Sequence, residues 1–200
     1  MKCSDLNPHD YRFAEHPIES SILKRWSPRA MTGEVVDKKL LMSLFEAARW
    51  APSSGNVQNW HYFYALKPST EFDLFFSFLD PGNQEWCVKA AALLVVVDQT
   101  VNAAGRPIGP HAFNVGLSVQ NLLLQGWAMG ILVHPMGGFS ADAAKVSLNL
   151  PETWQPVVMI AIGNFGEVCE LSEKNRNREF PSARKQLVEF VHEGPLQPEN

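Results

Sequence analysis

A chain of 200 residues fits one domain, or one domain with extensions, and 46% apolar with 19% charged residues is enough to bury a core. A net charge of −4 provides no chain-wide basic surface and argues against nucleic acid as a partner. The three cysteines are far apart with no CxxC pair, the six histidines lack metal-ligand spacing, the N-terminus has no signal-peptide core, and no apolar run nears the roughly 20 residues of a membrane span, so disulfide, metal and membrane classes recede and a cytoplasmic setting is expected.

Residues 1–17 mix polar, proline and aromatic types and look like an N-terminal extension. "IESSILKRW" then suggests a short helix. "VDKKLLMSLFEAARW" is a stronger one, with Asp37 as cap and Leu40, Leu41, Leu44, Phe45 and Ala48 on one stripe. "APSSGNVQN" carries few bulky side chains, so it is either a connector or a surface shaped for close approach. "NWHYFYAL" reads as a strand, and "STEFDLFFSFL" as a helix opened by Ser69 or Thr70. The apolar run "AALLVVV" predicts a central strand.

"HAFNVGLSVQNLLLQGWAMG" predicts the longest helix, with Gly130 as its carboxyl-terminal cap and a wide apolar stripe suited to a thick core or a subunit interface. After it come a strand in "ILVHPM", a capped helix in "SADAAKVSLNL" and a buried strand in "PVVMIAIGNFG". "NREFPSARKQLVEFV" reads as a basic loop feeding a helix. No strand is followed by GxGxxG, so a Rossmann site is not supported, and an α+β sandwich of helices around one sheet is the expected fold.

In "KRWSPR", Pro28 pushes Ser27 toward extended geometry, which lets Ser27 and Arg29 share a face that Arg25 can join. Converging guanidinium groups and a hydroxyl suit a phosphate dianion, although basic residues at a helix end also serve the helix dipole or face water. Arg184 in "SARK" has the same two readings. No nucleophile–base pair stands out, and this points to a bound cofactor as the carrier of the chemistry.

Together, "RWSPRAMTGEVVDKKLLMSLFEAARWAPSSGNVQNWHYFYAL", "GNQEWCVKAAALLVVV", "SVQNLLLQGWAMGILVHPMGGF", "IAIGNFG" and "SARKQLVEFV" resemble the nitroreductase family of FMN enzymes. The resemblance spans residues 18–192 and leaves 193–200 as a tail. It implies an α+β sandwich with a mainly antiparallel sheet, in an entwined homodimer with FMN at the subunit interface. It also implies NADH or NADPH as hydride donor and ping-pong reduction of nitroaromatics, quinones or similar electrophiles through flavin N5. By the same resemblance Arg25, Ser27, Arg29 and Arg184 grip the phosphate, while Pro52, Ser53, Ser54 and Asn56 of one subunit lie along the other's flavin. Asn83 contacts the pyrimidine side, and Met136, Gly137 and Gly138 pass the reactive edge.

Three positions and one residue pair depart from the family pattern. Asn59 stands where many members carry proline, Trp86 where some carry lysine, and Ser182 where a basic residue often precedes the matched arginine; the Ser27-Pro28 pair is also uncommon. The same fold also suits a flavoenzyme with another redox task, such as dehalogenation, enone reduction or ring oxidation, or a non-catalytic flavin binder.

Overall fold

The structure, a computed structural model, describes residues 1–195. Its centre is a four-stranded antiparallel sheet in the order β1-β2-β4-β3, with β1 Trp60–Leu66, β2 Ala92–Gln99, β3 Leu132–Met136 and β4 Trp154–Gly163. Strand β2 is the apolar run expected from the sequence, and its first seven residues are all buried. Side chains alternate across a strand, so a run buried throughout needs cover on both faces.

Both faces are covered. On one, Leu93, Val95 and Val97 meet Phe72 and Phe75 of α3 (Thr70–Ser77) and Trp86 of α4 (Pro81–Cys87). On the other, Leu94 and Val96 pack with Leu41, Leu44 and Ala48 of α2 (Lys38–Arg49) and with Val115, Val119 and Leu122 of α5 (His111–Ala128). This is the expected α+β sandwich. At Gly126 of α5 an added Cβ would lie 2.3 Å from Cγ2 of Val133, so glycine sets the close approach of helix to strand.

Local signals held where the chemistry is local. Asp37 caps α2 by accepting from Lys39 N–H, and Ser69 caps α3 by accepting from Phe72 N–H. Gly130 follows α5 with φ +69°, the left-handed geometry of a helix stop. The short helix α1 (Ser20–Lys24) and the Ser140-capped α6 (Ala141–Ser147) are also present, and α7 (Glu173–Arg176) adds one turn near the C-terminal segment.

One expectation fails. The segment after "SARK" does not form a helix but a single 3-10 turn at Leu187–Glu189. Val188, Phe190 and Val191 are exposed there, so the apolar spacing finds no surface in this chain that would repay helix formation. Helix α4 has the opposite history. It carries no strong periodicity, but Pro81 at its first turn and the burial of Trp86 and Cys87 stabilise it. Residues 1–17 pack onto the domain, with Cys3 fully buried and its N–H bonded to the Gly166 carbonyl.

Candidate functional site

The chain leaves α1 at Lys24 and runs extended through Ser27 and Pro28, which brings Arg25, Ser27 and Arg29 to one wall of a cleft of about 380 Å³. Arg184 and Ser182 come from the C-terminal segment, and His134 and Pro135 from β3. Two further arginines that the sequence did not single out, Arg12 and Arg178, complete the wall. Five guanidinium groups therefore line one cleft, with no carboxylate among its lining residues.

Arg12 acts on the backbone. It donates from Nη1 to the carbonyls of Leu23 and Arg25, both at 2.8 Å, and from Nε to that of Ser182 at 2.9 Å. It thus ties the exit of α1 to the C-terminal segment. Arg25 reaches Ser27 Oγ at 3.3 Å, and Arg184 donates to Ser182 Oγ at 2.9 Å. Ser182, one of the departures, serves as an acceptor that orients Arg184.

The arginines repel one another. Burial, then the charges of Arg184 and Arg25, push Arg12 down to about 10, and burial with Arg184 lowers Arg25. Arg29 is lowered by burial in spite of Glu179 beside it. Glu179 is buried behind the wall, where it accepts from the N–H groups of Arg29 at 2.7 Å and Ala30 at 2.9 Å, and its Oε2 lies 3.6 Å from Arg29 Nη1. Burial still raises the Glu179 carboxyl above the usual range.

His134 donates from Nδ1 to the Pro28 carbonyl at 2.7 Å, and burial, with Arg29 and Arg25 nearby, pushes it down to about 4. It is therefore a neutral wall at ordinary pH. Trp26, also on the wall, has a buried indole N–H with no acceptor among the described residues. The chemistry of this donor set suits a multiply charged anion.

A second recess is lined by Arg29, Arg178, Asn83, Trp86 and Lys174, so it shares two arginines with the first. Asn83 donates to the Gly138 carbonyl at 2.9 Å, and a Cβ at Gly138 would come within 2.8 Å of Asn83 Nδ2. Gly137 is open on its side-chain side, whereas the Met136 side chain is buried at the end of β3. Trp86 packs on His134 with ring centroids 4.5 Å apart. Trp86, where the family resemblance implies a lysine in some members, is thus part of the core.

Ser53, Ser54 and Asn56, with Pro52 before them, do not line either recess. They form a separate strip at the amino end of α5, in which Gly55, Asn56 and Gln58 have φ of +58°, +54° and +47°. Ser53 Oγ accepts from Gln58 N–H, and Asn114 Oδ1 accepts from Ser54 N–H at 3.2 Å. Asn114 belongs to a buried polar cluster with Asn59, Asp98 and His111. No sequence signal marked this cluster, because its members lie on three elements.

The nitroreductase family profile matches this chain at residues 22–73 and 66–164. A solved structure described as an oxidoreductase containing FMN is 33% identical, with a TM-score of 0.90, covering 94% of this chain and 97% of its own. A nitroreductase family protein from Streptococcus pneumoniae TIGR4 shares the fold, with 20% identity, a TM-score of 0.70, and coverage of 88% of this chain and 98% of its own. A Ralstonia nicotianae protein named "Putative NADH dehydrogenase/NAD(P)H nitroreductase" is 23% identical, over 85% of this chain and 98% of its own length. With a family profile spanning most of its domain and a fold shared end to end with solved members, this chain belongs to the nitroreductase family.

Proposed function

We propose that the protein is a cytoplasmic, FMN-dependent oxidoreductase that uses NADH or NADPH to reduce nitroaromatics, quinones or similar small electrophiles. The observation that carries this reading is the cleft of five arginines, drawn from the N-terminal segment, the exit of α1 and the C-terminal segment.

In this reading Arg25, Ser27, Arg29 and Arg184 hold the FMN phosphate. Asn83 meets the pyrimidine edge, and the backbone of Met136, Gly137 and Gly138 runs beside the reactive edge, where glycine permits close approach. Arg29 and Arg178 provide the positive charge that Trp86 does not. When bound, FMN supplies two-electron transfer between a nicotinamide and the electrophile.

The strip Pro52–Asn56 serves the site of a second copy of the chain, in a homodimer. Supporting this, Trp50 and Phe113 beside the strip are well exposed, and Gly116 on the outer face of α5 has open space where a partner helix can approach. No helix among the described residues is long and apolar enough to cross a membrane. The buried Trp86 also favours a second reading, a family branch with another redox task, which a panel of acceptors under anaerobic turnover separates from the first.

The test is reconstitution. Purified protein should bind FMN, and the flavin spectrum should bleach on anaerobic addition of NADH or NADPH. Arg25→Ala should weaken FMN binding by about 1.5–3 kcal/mol, as for hydrogen bonds to charged groups. A protein that cannot be loaded with FMN overturns the reading.

A further inference from the structure

The strip at residues 52–58 carries three left-handed residues, two of them not glycine, at a cost of roughly 1 kcal/mol or more for each non-glycine one. Part of that shape is held within the strip, where Ser53 Oγ accepts from Gln58 N–H and Asn56 Oδ1 from Gln58 Nε2–H; the rest depends on its tie to the domain. Among the described residues, the hydrogen bond joining residues 53–58 to the body of the domain runs from Ser54 N–H to Asn114 Oδ1 at 3.2 Å. What presents an oxygen, rather than an NH₂, to Ser54 is set three links away.

Asp98 is 1% exposed, and a carboxylate only accepts. Its Oδ2 receives His111 Nδ1–H and its Oδ1 receives Asn59 Nδ2–H at 2.7 Å. The second hydrogen on Asn59 Nδ2 goes to the His111 carbonyl at 3.1 Å. Asn59 is thereby fixed with its oxygen turned away from Asp98, toward Asn114. That oxygen can only accept, so Asn114 must offer it Nδ2–H, at 2.8 Å. The remaining Asn114 oxygen then faces Ser54. An amide oriented by a fixed acceptor orients the next one in turn.

We propose that Asp98, Asn59 and Asn114 form a polarity relay that holds the strip in the shape that receives the cofactor ring, with all three as positioning residues. The proposal rests on the flavin reading for what the strip receives. It gives a role to Asn59, which the family resemblance marks as a departure from proline. Proline has no side-chain amide and cannot pass the orientation on.

The experiment removes the relay's links. Asp98→Ala and Asn59→Ala are made beside Asp98→Asn, and binding of FMN and of riboflavin is measured by flavin fluorescence, with hydrogen exchange at the Ser54 amide and melting of the flavin-free protein as a folding control. Each alanine variant breaks the relay, speeds exchange at Ser54 and lowers affinity for both ligands by about tenfold, since the ring is common to them. Asp98→Asn keeps an oxygen that accepts from Asn59, while its NH₂ donates to His111 Nδ1 in the other tautomer. Its affinity stays within about threefold of wild type, a rescue by the conservative variant that general loosening does not produce.

Alanine variants that bind riboflavin as wild type does, or an Asp98→Asn protein as weak as Asp98→Ala, overturn the relay. If an alanine variant does not fold, Asp98→Asn and hydrogen exchange at the Ser54 amide decide. An Asp98→Asn protein about tenfold weak, or an unprotected Ser54 amide in wild type, overturns it equally. Failure of the flavin reading looks different: wild type then binds neither ligand, whereas Arg25→Ala in a true FMN protein weakens FMN and spares riboflavin.

Discussion

In the arginine cleft, like charges face one another and a buried indole N–H has no acceptor among the described residues. At the strip, Ser54, Asn114, Asn59 and Asp98 each have a named partner. The first region concentrates unbalanced positive charge, and the second pairs its polar groups internally. An anion site gains by holding guanidinium groups near one another, because a multiply charged ligand offsets their mutual repulsion at once. A surface that a flat ring lies against gains by being rigid beforehand, since ordering it on binding costs affinity.

Acid separates the two regions most strongly. The folded pKa of His134 is about 4, below its ordinary 6.5. Between those values the unfolded chain takes a proton that the folded protein refuses, so stability present above pH 6.5 is lost as pH falls through 4. The loss is on the order of 3 kcal/mol, readable from urea unfolding at pH 7 and pH 4, and flatter in His134→Gln. Glu179 works in the opposite sense. Its pKa is raised in the fold, so its contribution is present below about 4.5 and disappears as pH rises through the folded value. Glu179→Gln should therefore steepen the acid loss.

Anions come next. Inorganic phosphate at a hundred times its dissociation constant should stabilise the flavin-free protein by about 2.7 kcal/mol, measured by thermal melting. Arg184→Ala should shrink that increment, while Asp98→Asn should leave it unchanged. Equal responses in both variants would erase the distinction between the regions. The smallest effect belongs to the strip backbone. Gly55 has φ +58° and open space around it, so Gly55→Ala should cost about 1 kcal/mol from backbone conformation alone, seen as a shifted urea midpoint.

Much of the fold was legible because its causes are local. Asp37 and Ser69 cap their helices within three residues, and β2 announces its burial by composition. The arginine cleft was half legible. Arg25, Ser27 and Arg29 are brought together by the extended geometry before Pro28, and Arg184 joins them from the far end of the chain. Arg12 was not legible, because its partners are carbonyls at 23, 25 and 182 and carbonyls carry no residue signature. The helix expected after "SARK" failed for a related reason: periodicity shows a face, but not whether the same chain has a surface to cover it. The cluster around Asn59 could not be read at all, since no spacing connects 59, 98 and 114.

The cluster also bears on how the sequence is free to drift. Once the orientation of one amide depends on the next, positions 59, 98 and 114 stop being independent choices. A change at 98 that keeps an acceptor for Asn59 is tolerated, whereas one that removes the acceptor weakens the link to 114 as well. Where proline occupies 59 the chain of orientation is cut, and 98 is released from the constraint. Family members with asparagine at 59 should therefore keep an acceptor at 98 together with an amide at 114, a correlation that an alignment of such members would expose.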